Sequence, residues 1–536
     1  MTKKHFSAVI AALIPVLLLQ ACLSADIPDE SPPQIESPPF SGSPPPETPA
    51  REPSEPGQFT IRYVPDNPVN PITSLNRDNT VLSSLLYECL FTLDGNLNVR
   101  PTLCESWSTE DNTTYSFVIK EGVAVTDGST LTSNDVVYTI RQAMQTGRFV
   151  NRLKGIASVT ATDDLTVTVV LTSVNNNFIK LLDIPIIKDG SIDDPIPPGT
   201  GPYVFASTGG MRLVPFPAHR DASNLTLSEI QLQECNDNEL AELFDGGVLS
   251  LLWDDPSDTF DIILNRHNEP RYYDTTSLQY IGFNTRTFAF NNPNVRRAIG
   301  SSLNRSYIVS EIMPGQSLAA PLALSPAYRL YDPQWVQTSI DPLIEMSALF
   351  EFAGLKDFDN DSFLEYPDGY GGYYKLALDF IVNSENAYKV RTAYRIADTL
   401  RLYGIEIIVR ELQWDNFTAA LRSGNFDMYY GEVVLGADFD LSLLLLPGSP
   451  LNYGYTGSDY YKPFIEAFLG AWSDQEESIA AKALCDEINY TAPFIPILYK
   501  KYVVYTPIAA ISGATPSQSG VFNGIAGWTI DLTMLS

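Results

Sequence analysis

Histidine is almost missing: three residues in 536. There is no H-E-x-x-H, no G-x-S-x-G and no G-x-x-x-x-G-K-[ST], so zinc-peptidase, α/β-hydrolase and P-loop chemistries have no anchor in the chain. His219 in "PAHRDASN" and His267 in "NRHNEP" sit among loop-type residues and read as surface or packing groups. Basic residues are scarce as well. Thirty-four Lys and Arg stand against 64 Asp and Glu, a net charge of −30. A phosphate-binding face needs lysine and arginine, so nucleic acid is excluded as a partner. The acidity reads first as surface solubility and second as a bias toward cationic ligands. Beyond the first twenty residues no apolar run reaches the roughly 18 residues of a membrane-spanning helix. Cysteine is sparse, five in all.

What is present begins with Lys3 and Lys4 and a 12-residue apolar run, Ala8 to Leu19, which suits a signal-peptide core. It ends in Leu19-Gln20-Ala21-Cys22, which resembles a bacterial lipobox. The expectation is a lipoprotein signal peptide over 1–21 and lipidation of Cys22, with an ordinary signal peptide as the alternative. Acyl chains add about 0.8 kcal/mol per buried CH₂, so two or three hold a domain at a membrane surface. Eleven prolines lie between residues 24 and 57. The stretch 22–57 therefore reads as a semi-extended tether with too little apolar surface for a core. These features predict an extracytoplasmic protein, lipid-anchored on the outer face of the cytoplasmic membrane, on the periplasmic side where a cell has an outer membrane.

The body, 58–536, has the length of two to four domains. "TYSFVIK" (114–120), "LTVTVVL" (165–171), "IEIIVREL" (405–412) and "FDMYYGEVV" (426–434) read as strands. "TVLSSLLYECLF" (80–91), "SNDVVYTIRQAMQ" (133–145), "NPNVRRAIGSSLNRSYIVSEIM" (292–313), "AYKVRTAYRIADTLRLYG" (387–404) and "WDNFTAALRSG" (414–424) have helical spacing. The chain is strand-rich over about 100–215 and alternates α with β in its C-terminal half, an α/β fold in at least two lobes. Cys89, Cys104, Cys235 and Cys485 allow three pairings. Cys89 and Cys104 flank a strand-turn-strand and are the first pair expected; free buried thiols are the alternative.

The stretch "LLYECLFTLDGNLNVRPTLCESWSTEDNTTYSFVIKEGVAVTDGSTLTSNDVVYTI" (85–140) resembles the family 5 extracellular solute-binding proteins, the peptide- and nickel-binding components of ABC importers. The matching residues are Tyr87-Glu88, Pro101, Glu105-Ser106-Trp107, Asp127-Gly128 and Asp135-Val136-Val137-Tyr138. Cys89 and Cys104 stand where the family has glycine and alanine, a shared departure that adds weight to their pairing. "GTGPY" (199–203), "YIGFNTRTFAFNNPNVRRAIGSSLNRSYIV" (280–309), "DFDNDSFLEYPDG" (357–369), "GADFD" (436–440), "NYGYTGSDY" (452–460) and "APFIPILY" (492–499) continue the resemblance in order.

The resemblance implies a two-lobed, periplasmic-binding-protein-like clamshell of type II, with an extra strand-rich subdomain in lobe I. Lobe I would comprise 58–284 and a return at 497–536, and lobe II 285–496. It implies a monomeric receptor, not an enzyme, that closes on a small peptide and hands it to an importer permease. The same fold binding a nickel chelate or an oligosaccharide, or sensing peptides without transport, is the alternative. Asp438 falls where peptide-binding members pair an aspartate with the ligand's α-ammonium. The tryptophan usual before it is replaced by Val434-Leu435-Gly436-Ala437. Tyr280, Phe283, Asn284, Trp414, Tyr453 and Tyr455 are candidate cleft residues, with core packing as the alternative. No cofactor is expected. Asp357, Asp359, Asp361, the Phe363 carbonyl, Glu365 and Asp368 carry the 1, 3, 5, 7, 9, 12 spacing of a calcium loop, with serine for the usual sixth glycine. A structural calcium and a solvated connecting turn are both open there.

Overall fold

Alternating β-branched residues build the first recognisable layer. Thr114–Ile119 and Thr166–Leu171 pair antiparallel at the centre of a four-stranded sheet, with Cys104–Thr109 and Ile156–Ala161 outside them. In the computed structural model the described residues are 57–65, 69–208, 211–257, 262–336, 342–367, 370–455 and 459–535, within one compact unit. Cys22, the leader, most of the tether and Asp368 lie outside them. The helix Ser133–Ala143 covers this sheet, with a Thr132/Asp135 capping box satisfying its first turn. Its apolar stripe of Val136, Val137 and Ile140 is buried.

A second four-stranded sheet holds Thr60–Tyr63, Ile230–Glu234, Arg212–Pro215 and Tyr203–Phe205. The largest sheet has seven strands: Leu252–Asp254, Phe494–Pro507, Asn268–Phe283, Met428–Val434, Ala377–Asn383 and Glu406–Leu412 in order, with Ser317–Ala319 on the second. Helices Pro293–Ser302, Ala387–Arg401 and Trp414–Ser423 belong to this part of the chain, the last ending at Gly424 as its stop signal predicts.

Two strands are unusually long, 16 residues in Asn268–Phe283 and 14 in Phe494–Pro507. They pair antiparallel, with a register break between Asp274 and Leu278. That break divides the hydrophobic cores. Tyr273 and Val504 pack on a core drawn from 59–253 and 504–535. Leu278 and Tyr499 pack on a core drawn mainly from 278–499, which Leu93 and Leu97 join. Both strands thus pass from one core to the other inside one sheet. The changeovers lie between Tyr273 and Leu278 and between Tyr499 and Val504.

Two expectations are corrected here. "TVLSSLLYECLF" gives only the short helices Arg77–Val81 and Ser83–Leu86. Tyr87 then turns extended and donates its hydroxyl to the Pro197 carbonyl, while Cys89 bridges to Pro185. Long-range contacts override the local helical spacing. The expected Cys89–Cys104 disulfide is not formed, and all four described cysteines are buried thiols. The two backbones touch, with the Leu103 N–H donating to the Cys89 carbonyl. The Cys104 thiol donates instead to the Ser106 carbonyl. Burial pushes both thiols up to about 12, the inert state of a packed cysteine.

Candidate ligand-binding cleft

A cavity of about 1100 Å³ opens between the two cores. One wall comes from 148–185, with Trp253, Tyr273, Tyr502 and 517–521. The facing wall comes from 432–446, Leu451 and the helix Lys462–Leu469.

Asp438 stands in the second wall, 4% exposed. The backbone is bent to aim it. A Cβ on Gly436 would lie 2.4 Å from the Asp438 Oδ1, so a larger residue there would push the carboxylate aside. Phe439 takes φ +55°, a left-handed conformation costly for an aromatic residue. Its ring is held 5.5 Å from Tyr328 and 6.2 Å from Tyr499. Asn175 donates its amide to the Asp438 Oδ2 at 2.9 Å, and the Asp440 N–H reaches Oδ1 at 3.4 Å. Burial, and then the charge of Asp440, push the Asp438 carboxyl up to about 6; these two hydrogen bonds and Arg152 oppose the shift.

Asn175 belongs to a run of three asparagines that crosses between the walls. The Asn176 N–H donates to the Leu469 carbonyl at 2.6 Å, and the Asn177 amide donates to the Glu477 Oε1 at 2.9 Å. Glu477 is fully buried and also accepts from Tyr328 and Arg329. Successive residues of one loop therefore tie three separate points of the opposite wall.

Behind the cleft, at the strand changeover, Lys500 is buried between Asp255 and Glu432, 2.8 Å from the latter. Glu432 also receives Lys389 at 2.7 Å and the amide of Gln279. Burial opposes ionisation of Glu432, but Lys389 and Lys500 overcome it and hold its carboxyl far below the ordinary range.

The first wall carries cations. Gly147, at φ +75° and with its Cβ position 2.0 Å from the Ile72 carbonyl, starts the turn Gly147–Phe149. The helix Val150–Leu153 follows. Arg148 and Arg152, four residues apart, both line the cavity. Arg152 is ion-paired with Asp183, whose other oxygen accepts from Ser519 at 2.7 Å. Burial first, and the like charge of Arg148 second, bring the Arg152 guanidinium down to about 10.

Of the residues expected at a ligand site, the structure brings Asp438 alone into the cavity wall. Tyr280 is 2% exposed and edge-on to Tyr429 and Phe494. Phe283 is fully buried against Phe290. Asn284 spends its amide on the Gly424 and Phe426 carbonyls. Tyr453 packs near Tyr429, and the Tyr455 hydroxyl meets that of Tyr461. Trp414 is exposed at a helix start. None of these six lines the cavity: Tyr280, Tyr453 and Tyr455 fill or border the second core, and Phe283 fills a separate cluster with Phe290. Arg148, Arg152, Asn175 and Asp183 were missed. Two arginines four apart in "GRFVNRLKG", in so acidic a chain, were the available signal.

The acidic turn is a separate cluster. Carboxylate oxygens of Asp357, Asp359, Asp361 and Glu365 lie within 4.8 Å of one another. Ser362 adopts φ +72° at the position where a calcium loop usually has glycine.

A clamshell with an interlobe cavity and two strands shared between its cores is the architecture of two-lobed periplasmic solute-binding proteins. The solved structure of the Bacillus subtilis oligopeptide-binding protein AppA, in complex with a nonapeptide, has this fold. It matches with TM-score 0.65 at 20% identity, over 90% of this chain and 100% of that one. NikA of Brucella suis, in complex with Fe(III)-EDTA, matches with TM-score 0.70 at 17% identity, over 88% and 100%. In sequence the chain is 24% identical to AppA of Bacillus subtilis, over 72% of this chain and 74% of AppA. It is 23% identical to the glutathione-binding protein GsiB of Escherichia coli K12, over 81% and 87%. Residues 98–454 match the bacterial extracellular solute-binding proteins, family 5, middle. The chain belongs to that family. It is an extracytoplasmic transport binding protein and not an enzyme. Among the described residues no helix is long and apolar enough to cross a membrane.

Proposed function

We propose that this protein captures peptides in the interlobe cleft by hinge closure and delivers them to an ABC importer permease. The observation that carries the reading is Asp438: a carboxylate withdrawn from solvent, on the wall of a cavity large enough for several residues. Such a group gains most from a ligand ammonium, because a charge-assisted hydrogen bond replaces lost hydration. Relatives named for oligopeptides and glutathione support the same chemistry.

Closure is proposed to hinge where the two long strands change cores, a few residues before the expected crossing at 284 and a few after the one at 497, with lobe I on one side and lobe II on the other. A ligand touching both walls binds only the closed form and so shifts the population toward it. The Cys22 anchor and the proline-rich tether would keep a monomeric receptor near its permease at high effective concentration. For the acidic turn the proposal is a structural calcium held by Asp357, Asp359, Asp361 and Glu365, with Asp368 completing the spacing.

The test is mass spectrometry of what co-purifies with the protein and is released on denaturation. Mixed short peptides are the expected result. A single metal chelate or a glycan as the bound species would sink the peptide reading and leave the fold untouched.

A further inference from the structure

The loop that follows the short strand Leu252–Asp254 starts from the first core. That strand pairs with residues 503–505, beyond the core changeover, and its Trp253 packs among the residues of lobe I. The loop's polar groups, however, reach toward lobe II. Asp255 is 4% exposed and does not line the cavity. Its Oδ1 accepts from the Ser257 N–H and hydroxyl at 3.1 and 2.9 Å, and its Oδ2 accepts from the Lys500 ammonium. The Ser257 carbonyl accepts the amide of Asn386, the residue that caps the lobe II helix Ala387–Arg401.

Lys500 lies in the changeover between Tyr499 and Val504, itself 4% exposed, and reaches Glu432 at 2.8 Å. Glu432 belongs to lobe II, on a strand paired with residues 277–283. One buried ammonium therefore touches one carboxylate from each lobe. The two carboxylates are not equally dependent on it. Glu432 also has Lys389 at 2.7 Å, Ser277 at 2.9 Å and Gln279 at 3.1 Å, all from its own lobe. Asp255, among the described residues, has Lys500 as its only ion-pair partner. Rotation about the changeovers carries Asp255 away from Glu432, and Lys500 can follow only one of them. The full pairing exists only with the lobes together. Without the ammonium, two carboxylates would face each other across the hinge and repel.

We propose that Lys500 is a positioning residue for closure: it shares its ammonium between Asp255 of lobe I and Glu432 of lobe II and so biases the hinge toward the closed form. Asn386 grips the same loop from the lobe II side. The inference rests on placing the hinge at the strand changeovers and is independent of what the ligand is. The ligand-free protein is then held toward closure before any solute arrives, and a bound solute leaves only after the triad has parted.

The experiment is small-angle scattering of the ligand-free protein as wild type, D255N, K500M and K389Q, with thermal midpoints. Stopped-flow dissociation of a synthetic pool of free tripeptides is measured beside it. D255N keeps an oxygen for Ser257 and leaves Lys500 paired with Glu432, so it cuts the tie without stranding a charge. The expected result is a larger radius of gyration than wild type in D255N and K500M, with tripeptide release faster on the order of 10-fold. K389Q takes a cation from the same Glu432 inside lobe II. It should lower the thermal midpoint and leave the radius and the release rate at wild-type values. If K500M does not fold, D255N/K500M, which removes the charges as a pair, takes its place with the same expectation. D255N at the wild-type radius overturns the proposal. So does K389Q expanding as far as D255N, which would make the cluster ordinary packing. Tripeptides that bind neither wild type nor variants would count against the peptide reading, and the radius would still decide on Lys500.

Discussion

Burial holds the Asp438 carboxyl near 6 against an ordinary value of 3.8, and the sign of that shift decides its pH behaviour. A ligand ammonium needs the ionised form. Affinity should therefore fall about tenfold per pH unit below 6 and level off above it, and D438N should abolish the slope. Calorimetry between pH 4.5 and 7.5 checks both. Stability runs the other way. A carboxyl whose folded pKa is raised costs stability above that pKa, and the cost fades as pH falls toward 3.8. D438N should thus raise the unfolding free energy, and with it the midpoint, of ligand-free protein at pH 7.5, by on the order of 3 kcal/mol or less, and make no difference near pH 4. A midpoint lowered at pH 7.5 would contradict the assigned burial cost. The place of Asp438 in the cavity wall was legible through its motif. Arg148 and Arg152 were not, because a sequence shows charges but not the wall on which they stand.

At the scale of elements the asparagine run 175–177 behaves as a clasp between the walls. Removing the Asn175 and Asn177 amides together, as N175A/N177A, deletes two cross-cleft hydrogen bonds worth about 1 kcal/mol each. Ligand affinity should drop by roughly tenfold or more. Small-angle scattering of the ligand-free protein should show a larger radius of gyration, and an unchanged radius would remove the clasp role. The acidic turn has its own test. If it holds calcium, millimolar calcium should raise the unfolding free energy of wild type, by about 2.7 kcal/mol at a hundredfold excess over Kd, and leave D359N/D361N unmoved. Strongly periodic segments such as Ser133–Ala143 and Ala387–Arg401 were legible from spacing and caps. Residues 80–91 were not, since Tyr87 and Cys89 answer to partners about a hundred residues away.

At the scale of the whole molecule, sheet topology explains how one chain builds two cores and a cleft. Strands of 16 and 14 residues carry the backbone across twice, and the buried Lys500 pairs with Asp255 on one side and Glu432 on the other. The two-lobed plan was legible because the family's blocks occur in order. Which aromatic residues face the ligand was not, because Tyr280 and Phe283 satisfy a core at least as well as a cleft. The central claim is that Asp438 receives a ligand ammonium in the interlobe cavity. It is tested most directly by titrating wild type and D438N with one co-purifying peptide, free and N-acetylated. Acetylation should cost wild type on the order of 10- to 100-fold in affinity and cost D438N almost nothing. Equal affinity of wild type for the free and acetylated peptide would contradict the account.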